Sequence, residues 1–254
     1  MMRISISKVK LFKACRRAYQ LRYEEGLVPV EKSEALQTGE TFHKKIERFN
    51  KGDTDVVDGV TKEDAMMSAY IKYIAPKLDI DRSEVFYDAN LNGNQVVGII
   101  DAICKDGTLV EYKTTSVDLA DEYEYMLQWD EQLLMYMWLT GQRSILYAIC
   151  RKPTIRLKKN ESDEEFFDRM CEWYDEDTDS KIKLIRVERT DEEVEQFYND
   201  LSNIVSIMNN SESQDMYRNT GYCKVWGRMC EYAPVCLHYD KDADYIEFER
   251  MEVQ

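Results

Sequence analysis

The sequence predicts a mixed α/β fold: a central mixed sheet flanked by helices, with a helical cap formed by its N-terminal part. Three observations carry that prediction. Residues up to about 80 place apolar side chains at helical spacing, residues 84–115 change to β-branched runs separated by turn signals, and residues 121–209 alternate helical and strand patterns. The chain has 254 residues, long enough to bury a sizeable core without disulfides. Hydrophobic residues make up 44% and charged residues 33%, with 10 Gly and 4 Pro, which excludes a collagenous or low-complexity chain. No apolar run is long enough to span a membrane. The opening Met1-Met2-Arg3-Ile4-Ser5 lacks an apolar signal region, so the expected location is the cytoplasm.

The elements follow in order. Residues 7–24 read as one helix, with Ser5 or Ser7 as cap and Val9, Phe12, Cys15 and Tyr19 on one face. Residues 32–51 read as a second helix with Leu36, Gly39, His43 and Ile46 along a stripe. A third spans about 61–75, capped by Thr61 and ended near Pro76. Glu84–Asn92, Gln95–Cys104 and Thr108–Thr115 read as a three-strand meander, punctuated by Asn92-Gly93-Asn94 and Lys105-Asp106-Gly107. Then come a helix over 121–140, a strand at Ser144–Arg151, a candidate strand at 154–158, an acidic helix over 161–176, a strand over 181–188 and a helix over 190–209. From 220 onward the tail carries cysteines and aromatics without clear period.

The net charge of −15, from 34 Lys and Arg against 49 Asp and Glu, argues against a nucleic-acid partner. Its distribution argues the other way. Residues 1–23 hold seven basic residues, among them Lys13, Arg16 and Arg17, and no acid. Residues 132–160 hold six, among them Arg151 and Lys152, again with no acid. Such a chain can present a basic groove; ordinary charge heterogeneity is the plainer alternative.

The meander carries Gly98-Ile99-Ile100-Asp101 and then Val110-Glu111-Tyr112-Lys113. Glu111 and Lys113 are two apart on a strand and share a face, where a half-exposed ion pair is the simplest account. The loop decides where Asp101 lies. A two-residue Asp106-Gly107 turn would put it opposite Tyr112. A three-residue loop with Gly107 last, in the left-handed conformation, would put it opposite Glu111. Two carboxylates would then face each other, which is unfavourable unless a cation lies between them. Hard oxygen ligands at that spacing suit Mg²⁺ or Mn²⁺.

Asp101 followed by Glu111-x-Lys113 resembles the signature of the PD-(D/E)XK nucleases. Three further features resemble their RecB-like branch. Gly39-x-x-x-His43 is similar to its first helical motif, and Gln132-Leu133-Leu134-Met135-Tyr136 to its Q-h-x-x-Y helix. Ser5-Ile6-Ser7 … Cys15 with Cys223-x6-Cys230-x5-Cys236 is similar to its iron–sulfur subgroup, which includes CRISPR-associated RecB-like exonucleases, AddB-type nuclease domains and many phage exonucleases. The resemblance covers residues 3–237. Each motif has a plainer reading on its own: His43 as an ordinary helix residue, Gln132 and Tyr136 on a core-packing helix face, and Glu84 as a solvated strand end rather than support for a metal.

The resemblance implies a restriction-endonuclease-like core with termini stapled by an iron–sulfur cluster. One nuclease domain would cover 1–254, with a helical part at 1–80, a nuclease core at 81–209 and an iron–sulfur segment at 220–237 joined to Cys15. Cys15, Cys223, Cys230 and Cys236 would hold a [4Fe–4S] cluster; zinc or free thiols are the alternatives that the residues alone leave open. Cys104, Cys150 and Cys171 read as small core hydrophobes. His43, Asp101, Glu111 and the Tyr112 carbonyl would hold Mg²⁺ or Mn²⁺. Lys113 would position or deprotonate the attacking water, and Gln132 and Tyr136 would orient Lys113 and the DNA backbone. Lys13, Arg16, Arg17, Arg151 and Lys152 would carry the strand, with Tyr19 or Trp226 available for stacking. The implied activity is a metal-dependent DNA exonuclease acting on ends, single-stranded by preference, in recombination, repair or phage DNA processing. The implied setting is a bacterial or phage-infected host cytoplasm, with a helicase or recombination partner and self-association as further expectations. No G-x4-G-K-[ST] occurs in the chain, so no helicase motor is encoded here. Two rival classes remain: a non-catalytic iron–sulfur DNA-binding or assembly module of the same fold, and a zinc-bound interaction protein.

Overall fold

The computed structural model describes residues 1–119, 121–225, 228–237 and 248–251. The chain opens with strand β1 (Arg3–Ile4) and helix α1 (Ile6–Ala14), whose N-cap is Ser5 with its hydroxyl accepting the Lys8 N–H. The single helix expected over 7–24 is interrupted. Cys15 is extended, at φ −159° and ψ 108°, and the chain resumes as α2 (Arg16–Tyr19) and a π-helical turn over Gln20–Glu24. The break has its backbone groups satisfied by a distant segment. Asn219 Nδ2 donates to the Ala14 carbonyl at 2.8 Å, and the Arg17 N–H donates to the Tyr217 carbonyl at 3.1 Å.

Strand β2 (Leu27–Pro29) leads to α3 (Glu34–Asn50) and α4 (Lys62–Tyr73). Thr61 caps α4 through a capping box with Asp64, and a 3₁₀ turn over Ala75–Lys77 follows. Strand β3 (Ile80–Leu91) starts before the expected Glu84, then β4 (Asn94–Cys104) and β5 (Leu109–Thr115) complete the meander. The helix expected over 121–140 is two: α5 (Asp121–Met126), a 3₁₀ turn over Leu127–Trp129, and α6 (Glu131–Thr140). Asp130 makes the break, because its carboxylate accepts the Gln132 N–H and caps the second helix. Then follow β6 (Ser144–Arg151), α7 (Asp163–Glu176), β7 (Ile182–Glu188) and α8 (Asp191–Asn210). Residues 154–158 form no strand: Pro153 supplies no ladder donor, and Ile155 packs into the core instead. The tail holds β8 (Lys224–Val225), β9 (Arg228–Met229), α9 (Ala233–Leu237) and β10 (Phe248–Arg250), the last antiparallel to β2.

The chain divides into two compact units. The first comprises Met1–Ser33, Asp88–Gly98 and Gln196–Gln254. Here β1 runs parallel to the start of β4, pairing Arg3 with Gln95 and Ile4 with Val96. Phe12, Tyr19, Met208 and Met216 form one apolar cluster; Cys15, Ala18, Leu21 and Tyr232 form another.

The second unit comprises Glu34–Tyr87 and Ile99–Glu195. Its sheet is mixed: β3 pairs with β4, β4 is antiparallel to β5, β5 parallel to β6, and β6 antiparallel to β7. Phe42, Tyr70, Met170 and Tyr174, from α3, α4 and α7, pack with Val110, Tyr112, Ala148 and Cys150. Leu133, Tyr136 and Met137 of α6 pack with Leu109, Ile145, Tyr147 and Ile149. Strand alternation therefore sends Val110 and Tyr112 toward α3 and α4, and Leu109, Glu111 and Lys113 toward α6. Cys104 and Cys150 are buried as expected and Cys171 partly so. Among the described residues, no helix is long and apolar enough to cross a membrane.

Candidate active site and cysteine cluster

The loop between β4 and β5 sets the site. The Cys104 N–H donates to the Thr108 carbonyl at 2.9 Å, the Gly107 N–H donates to the Cys104 carbonyl at 2.9 Å, and Gly107 has φ +86°. This is the three-residue loop, and glycine is the residue that takes its left-handed last position without strain. The ladder pairs Ala102 with Val110 and Ile103 with Leu109, so the next pair in register is Asp101 with Glu111.

Glu111 is only 1% exposed. Its Oε1 accepts from the Lys113 ammonium and from Gln132 Nε2, the latter at 2.8 Å. Gln132 Oε1 accepts from Lys113 at 3.0 Å, and Gln132 Nε2 also donates to the Tyr136 hydroxyl at 2.8 Å. One amide thus ties the acid, the lysine and the tyrosine together. Glu111 Oε2 is buried and has no hydrogen-bond donor among the described residues. Asp101 Oδ2 accepts the Tyr112 N–H at 2.8 Å. Burial first, and then the neighbouring Asp101 charge, push the Glu111 carboxyl up to about 8. Burial likewise raises Asp101, with Glu84 adding to it, against the Tyr112 hydrogen bond, Lys113 and a hydrogen bond with Glu111, which lower it. The pair resists carrying two charges. Burial works to lower the Lys113 ammonium, but the Glu111 charge and hydrogen bond outweigh it, so its pKa is raised.

His43 comes from α3. Its Nδ1 lies 3.8 Å from Asp101 Oδ2, and burial lowers its pKa, more than Glu111 and a hydrogen bond to the Tyr112 backbone raise it. Gly39 lets α3 approach: a Cβ there would lie 3.2 Å from Thr114 Oγ1. Tyr112 is braced from the other side, its hydroxyl 3.3 Å from both Asn50 Nδ2 and the Tyr70 hydroxyl.

Sequence reasoning missed two supports, Asp130 and Arg189, and weighed a third, Glu84. Asp130, besides capping α6, accepts from the Tyr147 hydroxyl at 3.3 Å; an Asp before an apolar helix was the available signal. Arg189, 6% exposed, donates to the Leu127 carbonyl at 2.9 Å and holds the turn that leads into α6; no sequence signal marks it. Glu84 has φ +52°, uncommon for a residue with a side chain, and lies inside β3 rather than at its start. Its carboxyl is raised by burial, then by Glu47 and Glu111.

In the first unit Cys15 and Cys223 lie near enough to Cys230 and Cys236 to influence their ionisation, but among the described residues no three of the four are placed to hold a metal. All are free. Cys15 is buried, and its Sγ accepts the Asn219 N–H at 3.4 Å. The Cys230 N–H donates to the Cys223 carbonyl at 2.9 Å. Burial raises the Cys230 and Cys236 thiols, and each is raised further by both Cys15 and Cys223. Trp226 and Gly227, which interrupt this segment, lie outside the described residues.

The basic residues divide. Lys13 is exposed at the end of α1, and the Arg16 guanidinium lies over the Phe12 and Tyr217 rings at 4.8 and 5.3 Å. Arg17 pairs with Glu25 at 2.9 Å, Arg151 pairs with Asp118 at 2.6 Å, and Lys152 donates to the Ala35 carbonyl at 2.7 Å. Tyr19 is 3% exposed and packs edge-on against Phe12, so it is a core residue and not a stacking surface.

Two opposed carboxyls, an imidazole and a nearby backbone carbonyl make a donor set suited to a hard divalent cation. The unpartnered buried oxygen of Glu111 fits that chemistry. Among the described residues, no three His, Cys, Asp or Glu side chains form a ready-made metal site; Lys113 is held on Glu111 instead.

A family model of the PD-(D/E)XK nuclease superfamily matches residues 3–237. Among solved structures, the chain is similar to a candidate exonuclease from Eubacterium rectale, with TM-score 0.54 and 14% identity over 96% of this chain and 90% of that one. It is also similar to a phage-related exonuclease from Haemophilus somnus (TM-score 0.37, 15% identity, 78% and 96% covered). An alkaline exonuclease from Laribacter hongkongensis gives TM-score 0.38 and 13% identity, with 82% and 88% covered. At these identities the structural likeness speaks to the fold alone. No curated protein matches the chain.

Proposed function

The chain belongs to the PD-(D/E)XK nuclease superfamily, and from that premise we propose that it is a metal-dependent deoxyribonuclease of the RecB-like iron–sulfur branch, an exonuclease that hydrolyses DNA ends and prefers single strands. The observation that carries the reading is Glu111: a nearly fully buried carboxyl with one oxygen unpartnered, in register with Asp101 and flanked by His43 and Lys113. Burying a carboxylate beside another carboxylate is costly, and a cation would reverse the sign of that cost.

Asp101, Glu111, His43 and the Tyr112 carbonyl would hold Mg²⁺ or Mn²⁺. Such an ion, when bound, supplies a more acidic water and positive charge beside the scissile phosphate. In the hydrolysis, the water oxygen joins phosphorus, the bond to the leaving sugar oxygen breaks, and that oxygen takes up a proton. Lys113, kept charged by Glu111, positions the water and offsets phosphate charge, a role better matched to its raised pKa than that of base. Gln132 fixes the Lys113 ammonium and the Glu111 oxygen at one spacing, and Tyr136 fixes Gln132. Arg16, stacked on the Phe12 and Tyr217 rings, is the basic residue of the first unit proposed to meet phosphate, with Lys13 exposed three residues before it.

Cys15, Cys223, Cys230 and Cys236 would hold a [4Fe–4S] cluster. What supports the reading is the backbone N–H on the Cys15 sulfur and the influence of Cys15 and Cys223 on both other thiols; iron, when bound, would supply the positive charge that favours the thiolate form. The cluster's role would be structural, tying the first helix to the tail.

The test uses DNA labelled at the 5′ or the 3′ end, incubated with Mn²⁺, Mg²⁺ or chelator. Mononucleotide release that requires the metal and disappears in Asp101→Ala is the expected result. DNA binding without cleavage under any metal would make the chain a non-catalytic module of this fold.

A further inference from the structure

The segment between β5 and α6 turns apolar side chains in two directions. Leu119 and Leu127 are buried, at 1% and 4% exposure, beside Leu133 and Tyr136. The Leu119 N–H donates to the Ser180 carbonyl, and Arg189 holds the Leu127 carbonyl. On this anchored frame, Val117, Tyr125, Met126 and Trp129 face solvent, each more than half exposed. The Tyr125 and Trp129 rings stand edge to face, with centroids 6.0 Å apart. An exposed pair of touching aromatic rings on anchored backbone marks an interaction surface.

What covers it follows from its position and charge. Val117 is four residues beyond Lys113, and Trp129 is three before Gln132, so both ends of the segment join residues of the candidate site. Residues 116–131 contain Asp118, Asp121, Glu122, Glu124, Asp130 and Glu131 and no Lys or Arg. Arg151 and Lys183 offset part of that charge, so the segment offers phosphates no net attraction. It does not repel bases, which every strand can stack on aromatic rings. A duplex turns its phosphates outward and keeps its bases stacked on each other, whereas a single strand can turn bases toward protein. A basic protein partner is less well served, because Asp118 and Glu124 are already paired with Arg151 and Lys183 at 2.6 and 2.8 Å.

We propose that Tyr125 and Trp129 form a base-stacking platform beside the candidate active site that admits single-stranded DNA and rejects duplex. The proposal deepens the nuclease reading by naming the residues that would impose strand preference, and it depends on that reading only for the chemistry.

The test is tryptophan fluorescence in chelator, so that nothing is cut. The probes are oligothymidylate, an abasic strand of equal length, a blunt duplex and a lysine-rich peptide. Oligothymidylate should quench the wild type, and the quenching should vanish in Trp129→Phe, which keeps a stacking ring and most of the affinity. Tyr125→Ala combined with Trp129→Ala should raise the Kd for oligothymidylate by roughly tenfold or more, with an unchanged thermal melt. Equal quenching by the abasic strand or the duplex overturns the proposal, as does an unchanged Kd in the double variant. Quenching by the peptide alone overturns it in favour of a protein-binding surface. A wild type that is quenched by oligothymidylate but cuts no DNA would sink the nuclease reading and leave the platform standing. A wild type that cuts DNA without quenching would do the reverse.

Discussion

The carboxyls of the second unit and the cysteine thiols of the first both resist ionisation beside their neighbours, yet they are held by opposite means. Asp101 and Glu111 are fixed by a strand ladder and a three-residue loop, and Glu111 is almost wholly buried. The cysteines come from a helix break and an irregular tail, and three of the four are partly exposed. A ladder keeps its register whether or not a cation is bound. Loops keep theirs only while something ties them. The first centre should therefore lose function without losing the fold, and the second should lose the fold first.

The largest expected effect tests that contrast. Asp101→Ala should cut DNA at least roughly 10³-fold more slowly, on the scale of losing a main electrostatic contact to the transition state. It should still fold and keep any iron colour, because removing one of two opposed carboxyls relieves their repulsion. Cys230→Ala should lose visible absorbance and melt earlier, with activity falling in step with the folded fraction. The reverse pattern, iron lost in Asp101→Ala and normal cutting in Cys230→Ala, would mean the two centres are assigned the wrong way round.

Next in size is a pH effect on stability. Both carboxyls titrate higher in the folded chain than their ordinary values of 3.8 and 4.5. The folded state therefore holds more protons than the unfolded one, and stability falls as pH rises from the ordinary carboxylate range to about 8. His43, lowered from 6.5, acts in the opposite direction below that value. Between pH 6.5 and 8 the loss from the coupled carboxyl pair dominates, and it should show as a falling Tm. Added Mg²⁺ should restore the melt more at pH 8 than at pH 6.5. A flat melting profile across this window, with or without Mg²⁺, would break the account.

These two centres were unequally legible in the sequence. Asp101 facing Glu111 followed from strand period and from Gly107 at the end of a three-residue loop, both local signals. The mixed sheet followed from the alternation of strand and helix patterns. The helix breaks at Cys15 and Asp130 were not foreseen as such. The first has its partners in residues 217–219, beyond any local pattern. The second was signalled by an N-cap residue, but the apolar period on either side reads through it. Arg151 and Lys152 stand in an acid-free stretch, yet both are engaged within the protein; charge clustering along a chain does not say which charges remain for a ligand.

Arg16 offers a smaller test, in the first unit. Stacked on two rings and with no carboxylate partner among the described residues, it should contribute about one phosphate contact. Arg16→Glu should weaken DNA binding by about tenfold at low salt and reduce the salt slope by about one. Arg17, already paired with Glu25, should matter less when reversed. Affinity that stays flat between low and moderate salt would remove the phosphate contact from both residues.

The smallest effect is expected at Tyr136, and it asks how tightly the ladder-built centre is tuned. The Tyr136 hydroxyl accepts from the same Gln132 nitrogen that donates to Glu111. In Tyr136→Phe that nitrogen keeps Glu111 but loses a partner in a buried setting, at a cost of about 1 kcal/mol. Gln132 remains tied to Lys113 and Glu111, so the amide is loosened and not released. A fall in kcat of about five- to tenfold should follow, with KM and the pH profile unchanged, because no titrating group or phosphate contact is altered. Gln132→Ala should fall further, since it frees Lys113 and Glu111 together. Should Tyr136→Phe raise KM and leave kcat alone, Tyr136 touches DNA directly, and its contact with Gln132 is incidental to the chemistry.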